Sequence, residues 1–582
     1  MSLRAVRLAI SLVSCRLPAV LMTKARFHFA ARITPSEAVP AKKVTSLPLQ
    51  FRMSFFSRND ARMHDVIRKN DYIVLKTLAI SCLAVFLSFM WQGNKGLNLW
   101  DEGYLWYGAQ RVLNNEIPIR DFLAYDPGRY YWSATIMSIF GDAGIMSLRA
   151  AVAVFQAYGL FVGMLLITSS EHNKPRTEFI LWLIAAATFM VWMFPRHKLF
   201  DISISLFLMG ALTYLIKNPT ARRYFIAGVC VGVAATFGRN HGMYGAIACL
   251  GVFAWFSIND RSGPGFVRAS LLWAGGVVVG FLPVVLMMLV VPGFSEAFWE
   301  SIRFLLETKS TNLPLPVPWP WLVDFTAAPA GETARSVLVG LFFMAVLIYA
   351  LAAIAWVTYC KVKAKPVAPA LVASAFLALP YAHFAFSRAD IGHLAQGIFP
   401  LLVGCMLLFS SARSLVKWPL AVTLLSASFW VMHVYHPGWQ CRAATQCVTV
   451  EVSGKDLQVD PGTAYDVALL RELGRQYAQD GKTFIATPIW PGAYALLERK
   501  SPMWEIYAIL PRPAAFEEKE IERIKAAKPG FAVVIDLPLD GRDDLRFKNT
   551  HPLVQKYIAQ NYLPVPFAGN AAYRIFKSKD TE

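Results

Sequence analysis

Two adjacent carboxylates, Asp101 and Glu102, stand in the stretch Trp100-Asp101-Glu102-Gly103-Tyr104, just beyond the first long apolar segment of the chain. A carboxylate there can take a proton from an attacking hydroxyl, and a second one beside it can support it or help bind a divalent metal. The stretch runs on through Arg111, Arg120, Asp121, Asp126 and Arg129, with Trp106, Tyr107, Tyr125, Tyr130 and Tyr131 between them. Guanidinium groups grip a phosphate and stabilise its charge as it leaves, while aromatic faces and carboxylates suit a sugar ring. Similar groups recur in three later places. Pro195 to Asp201 carries Arg196, His197, Lys198 and Asp201; Gly238 to Gly242 carries Arg239 and His241; Ser387 to His393 carries Arg388, Asp390 and His393. The expected base is Asp101, with Glu102 supporting it or sharing a metal. Substrate or phosphate contacts are expected from Asp126, Arg129, Arg196, His197, Asp201, Arg239, His241, Arg388, Asp390 and His393, with Lys198 a further cation for phosphate. Plainer roles exist for each: acids favour helix N-termini, and rings at a bilayer edge are often anchors.

What positions these groups is mostly apolar helix. Of 582 residues 56% are hydrophobic and 16% charged, against about 25% charged in a soluble protein, and the mean hydropathy is +0.42. This is the composition of a multispanning α-helical membrane protein. Runs long enough to cross about 30 Å of hydrocarbon fall at 72–92, 145–168, 178–195, 200–216, 224–238, 242–257, 269–292, 336–359, 367–386, 394–411 and 417–435, which makes eleven expected spans. The transmembrane part is thus 71–435, with long loops at 93–144 and 293–335 on the face that holds the chemistry-bearing residues.

The net charge of +19 lies in the wrong places for nucleic acid. Part of it is in the first 52 residues, where Arg4, Arg7, Arg16, Lys24, Arg26, Arg32, Lys42, Lys43 and Arg52 face the single acid Glu37. We read residues 1–70 as a basic cytoplasmic arm, a targeting segment, or the product of a start codon placed too far upstream. The rest sits in short alternate loops: Lys174 and Arg176; Lys217, Arg222 and Arg223; Arg261 and Arg268; Lys361, Lys363 and Lys365; Arg413 and Lys417. The positive-inside rule makes their side cytoplasmic. An odd number of spans then sends the C-terminal part, and the loops holding Asp101, to the outer face. Ionisable groups gathered at one membrane level imply one site.

From residue 436 the pattern changes to that of a small α/β domain, 436–582. Lys482 to Thr487 and Gly530 to Asp536 read as buried strands, Glu517 to Ala527 and Pro552 to Asn561 as amphipathic helices. No glycine-rich nucleotide loop is present. The eight cysteines include no Cys-x-x-Cys; Cys441 and Cys447 would pair if their region faces an oxidising compartment.

Compartment also narrows the donor. Nucleotide-activated sugars are used in the cytosol, so a transferase acting on the outer face needs a sugar already carried in the bilayer on a polyprenyl phosphate. The run Trp100 to Arg111, then Ile117-Pro118-Ile119-Arg120-Asp121-Phe122 and Asp126-Pro127-Gly128-Arg129-Tyr130-Tyr131, resembles the first outer loop of GT-C membrane glycosyltransferases, in the bacterial branch similar to protein O-mannosyltransferases and aminoarabinose transferases. Phe194-Pro195-Arg196-His197 to Asp201, Gly238 to Gly242, Ile489-Trp490-Pro491-Gly492 and Thr550-His551-Pro552-Leu553-Val554 resemble other segments of that branch. Where family members often carry Pro-Pro-Gly-Tyr, this chain has Asp126-Pro127-Gly128-Arg129. The resemblance implies a GT-C-like fold in a bacterial plasma membrane and an inverting transfer from a polyprenyl-phosphate sugar to a glycan, lipid or protein acceptor. It further implies Asp101 as base and, in some members, a divalent metal such as Mg or Mn. Two alternatives are a transporter or flippase for a lipid-linked glycan, which would carry charges at mid-bilayer depth, and an O-antigen ligase or polymerase, whose key residues would lie in a late outer loop.

Overall fold

In the computed structural model the described residues are 50–168, 175–259, 264–309, 312–443 and 446–579. The basic arm up to residue 49, Lys174 and Arg261 lie outside them. Seven described helices are long and apolar enough to cross a bilayer: Asp71–Gln92, Ile145–Thr168, Arg196–Lys217, Phe266–Val290, Ala330–Val362, Pro369–Ser387 and Ser414–Tyr435. Ile391–Gly397 and Phe399–Ser411, bent by 51°, make an eighth if taken as one span. Eleven were expected, and each expected segment does contain a helix. Three are too short or too polar to count: Pro175–Trp192 has an apolar stretch of only Phe179–Trp192, Ala221–Phe237 has 17 residues, and Arg239–Phe256 opens on Arg239, Asn240 and His241. Helices inside a bundle need not span the hydrocarbon alone. Ala221–Phe237 instead packs backbone to backbone on Phe266–Val290, where a Cβ added at Gly228, Gly232, Gly276 or Gly280 would strike a facing carbonyl oxygen at 2.0–2.2 Å. Small residues at such a seam are the usual means of close helix approach in membranes.

After the first span the chain turns through Gly93 to Asn98 into the helix Asp101–Leu113. Asn98 starts that helix: its side-chain oxygen accepts from the backbone N–H of Trp100 at 2.8 Å and of Asp101 at 3.0 Å. The two acids then occupy the first turn, where the helix dipole favours them. The helix is buried from Glu102 to Gln110.

The C-terminal part holds two sheets. The hairpin β1 (Val448–Val452) and β2 (Lys455–Val459) is antiparallel, and its Gln458 exchanges backbone hydrogen bonds with Asn94 and Gly96, pinning it to the loop before Asp101. The second sheet has the order β3-β4-β6-β5, with β3 (Ile485–Thr487) parallel to β4 (Phe531–Ile535), and β6 (Tyr573–Ser578) antiparallel to both β4 and β5 (Tyr562–Pro564). Both expected strands and both expected helices are present, the latter as Ala514–Ala527 and Pro552–Asn561. Their core is built from Ile485, Ile524, Ala532, Val534, Phe547, Val554 and Ile558. Cys441 and Cys447 are joined in a disulfide.

The C-terminal part is keyed to the Asp101 helix. A Cβ at Gly103 would meet the backbone N and Cα of Gly492 at 2.5–2.6 Å, and one at Gly492 would meet Leu99 at 2.8 Å. The Gly492 N–H donates to the Leu99 carbonyl at 2.8 Å. Only glycine fits on either side of this contact.

Candidate functional site

The acidic pair divides its roles. Glu102 is buried and takes both of its oxygens into Arg149: Nε meets Oε1 and Nη2 meets Oε2, each at 2.8 Å. Arg149 also donates to the carbonyls of Gly93 and Gly96, both at 2.7 Å. Burial alone would raise the Glu102 carboxyl, but Arg149, with Arg196 behind it, holds it down at about 2. Glu102 is thus the centre of a buried ion pair that shapes the turn before the helix. Both of its oxygens are engaged by Arg149, in contrast to those of Asp101. Among the described residues no group of three His, Cys, Asp or Glu side chains can share a metal ion.

Asp101 is different. Its side chain is 39% exposed. Oδ1 accepts a hydrogen bond from the Tyr507 hydroxyl at 3.3 Å, while Oδ2 lies 3.8 Å from His197 Nε2. Burial pushes its pKa up, but His197, Lys198 and the Tyr507 hydroxyl outweigh that, leaving the carboxyl below its ordinary value despite nearby Asp390. It is an ionised, partly exposed carboxylate.

Most of the other predicted groups are brought close, largely in ion pairs with one another. Asp201, in the first turn of Leu199–Lys217, accepts from Arg129 at 3.1 Å and pairs with His241 Nε2 at 2.7 Å. The other His241 nitrogen meets the Tyr381 hydroxyl at 2.9 Å, and Arg129 also donates to the Phe237 carbonyl at 2.7 Å. These four side chains tie together helices from four regions of the chain and are buried. Asp126 binds Arg239 twice, side chain to side chain at 2.7 Å and by accepting the Arg239 backbone N–H at 2.8 Å. Arg196 donates to the carbonyls of Gln92 and Lys95 at 2.6 and 2.7 Å and lies 3.8 Å from Glu102. Arg388 bonds Asp390 at 2.7 Å and holds Asp540 with two hydrogen bonds, 2.6 and 2.7 Å. Asp390 in turn caps Ile391–Gly397 and accepts from His393 Nδ1 at 2.9 Å. Burial raises the Asp390 carboxyl, but His393 and Arg388 hold it at about 2.

Lys198 stands apart from the arginines. Its Nζ donates to the Tyr125 hydroxyl at 3.0 Å and lies 4.7 Å from that ring's centre, and among the described residues it makes no salt bridge within 4 Å of a carboxylate. Of the predicted rings, Tyr125 is exposed, whereas Trp106, Tyr107 and Tyr130 are core: they bond the Ala143 carbonyl, the Ser501 N–H and the Tyr125 N–H respectively. Tyr104 packs edge-on against Tyr125 at 4.8 Å and also touches Tyr507 at 5.6 Å. Asp101 and Tyr125 are the exposed members of this group, with Lys198 beside them and the buried His197 ring behind the carboxylate.

Sequence reasoning missed Arg149, Tyr381, Tyr507 and Asp540. Arg149 carried a usable signal, an arginine near the start of an expected span. The tyrosines and Asp540 carried none.

Neither a family model nor a curated protein sequence matches the chain. Solved structures with similar folds include ArnT from Cupriavidus metallidurans in the apo state, with 13% identity, TM-score 0.45, and 88% of this chain and 98% of that one covered. The same protein bound to undecaprenyl phosphate gives 12%, 0.44, 86% and 97%. The apo oligosaccharyltransferase of Archaeoglobus fulgidus gives 13%, 0.45, 84% and 73%.

Proposed function

We propose that this integral membrane protein is a glycosyltransferase, moving a sugar from a polyprenyl-phosphate carrier to an acceptor hydroxyl or amine on the outer face of the membrane. The observation that carries this reading is the division of labour among the charges. Asp101 keeps a partly exposed, ionised carboxylate, and Lys198 hydrogen-bonds a phenol, while the other predicted acids and arginines are bound in ion pairs or to backbone carbonyls. An acceptor O–H attacks the anomeric carbon as Asp101 Oδ2 takes its proton. The bond from that carbon to the phosphate oxygen breaks, the bonding pair stays on the phosphate, and Lys198 meets the charge that develops there. Preorganised opposite charge at such a point is usually the largest single contribution to rate. Tyr125 offers the sugar an exposed ring face. The arginine pairs hold the helix ends that frame this pocket.

The test is incubation of the purified protein with labelled polyprenyl-phosphate sugars and a membrane extract. Label appearing on an extract component, with free polyprenyl phosphate released in equal amount, is the expected result. Movement of intact labelled donor across vesicles with no release would overturn it in favour of a flippase.

A further inference from the structure

We propose that Tyr507, supplied by the C-terminal α/β part, is the positioning residue for Asp101: its hydroxyl ties down Oδ1 and leaves Oδ2 as the one oxygen presented to the acceptor. The inference rests on the transferase reading above and goes one step deeper into the same site.

Three observations support it. The first is the hydrogen bond itself, 3.3 Å from the Tyr507 hydroxyl to Asp101 Oδ1. That is long for an O–H donor, as bonds among catalytic groups commonly are without substrate. Burial, then Asp101 and Tyr125, hold the Tyr507 phenol well above its ordinary value, so it stays protonated and donates.

The second is that the segment carrying Tyr507 is fixed on every side. The Trp504 N–H donates to Glu520 at 2.8 Å, its indole N–H to the Ile119 carbonyl at 3.0 Å, and its carbonyl accepts from the Leu123 N–H at 2.8 Å. Glu505 is buried between Arg512 at 2.7 Å and His551 at 2.8 Å. The Ala508 N–H reaches the Pro488 carbonyl at 2.8 Å. A group so supported holds its partner within the few tenths of an ångström that an oriented reaction needs.

The third is that the rest of the Asp101 environment supplies no other such restraint. Its ionisable neighbours are His197, Lys198 and Asp390; His197 Nε2 lies 3.8 Å from Oδ2, and among the described residues the Tyr507 hydroxyl makes the one side-chain hydrogen bond to the carboxylate.

The experiment compares Tyr507→Phe, Asp101→Asn and the double variant in the labelled-donor assay, with thermal melting of each. Phe keeps the ring against Tyr104 and removes only the hydroxyl. The expected result is a kcat lowered roughly 10- to 100-fold, the loss of one hydrogen bond to a charged group, with donor KM and melting temperature unchanged. The double variant should be no slower than Asp101→Asn, because Tyr507 has nothing left to position. Wild-type kcat in Tyr507→Phe, or a Tyr507→Phe loss that multiplies with that of Asp101→Asn, overturns the inference while leaving the transferase reading in place. A fully active Asp101→Asn removes Asp101 as the base and this inference with it, while absence of any transfer by the wild-type protein removes the transferase reading.

Discussion

Replacing Glu102 by Gln takes one charge out of a buried pair and leaves its shape intact. The folded protein holds this carboxyl at about 2 against an ordinary 4.5, which corresponds to about 3 kcal/mol of preference for the ionised form. Removing one member of a buried pair typically costs about 3–5 kcal/mol, because the other charge is left unmatched. Both routes put the cost of Glu102→Gln near 3 kcal/mol, and of Arg149→Gln at least as much, since Arg149 also satisfies the Gly93 and Gly96 carbonyls. The sign with pH follows from the depressed value: the contribution is full above about 4.5 and is lost as the pH falls toward about 2. The assay is reversible unfolding in mixed micelles for both single variants and the double, which should lose less than the sum by more than about 1 kcal/mol. Transfer per folded molecule should survive in Glu102→Gln. A variant with wild-type stability and no transfer would refute the reasoning and return Glu102 to the reaction.

Asp101→Asn should do the opposite, lowering kcat by about 10²–10⁴ with the unfolding midpoint unchanged, read by the labelled-donor assay and micelle unfolding together. Lys198→Met should raise the donor KM and lower kcat, with acceptor KM unaffected, in a donor titration. Gly492→Ala, which drives a Cβ into Leu99 at 2.8 Å, should destabilise by about 1–3 kcal/mol and reduce transfer in proportion to unfolded protein. Burial, with Asp460 nearby, raises the Asp466 carboxyl to about 6 against Tyr573; a raised acid loses stability as pH climbs from about 4 to about 6, so Asp466→Asn should melt higher than wild type at pH 7.5 and no higher at pH 4.

The sequence exposed the helices, the α/β ending and the residues of the site more readily than their partnerships. Asp101 and Glu102 look identical in a string of letters; Arg149, 47 positions along, decides that only one of them is open. Arg129, Arg239 and Arg388 were read as phosphate binders by residue type, and the structure gives each a carboxylate partner in Asp201, Asp126 and Asp540. Such pairings are set by helix packing, which no local pattern encodes. Lys198 could be recognised as the open cation only after those partners were known.

The bond from Tyr507 to Asp101 joins residues 406 positions apart. A ribosome therefore makes the carboxylate near the start of its work and the phenol near the end, after every membrane helix has been delivered. On the transferase reading, nascent or truncated chains that lack Tyr507 carry a proton acceptor still unaligned. On that reading, competence arrives only when the C-terminal α/β part has packed onto the Asp101 helix.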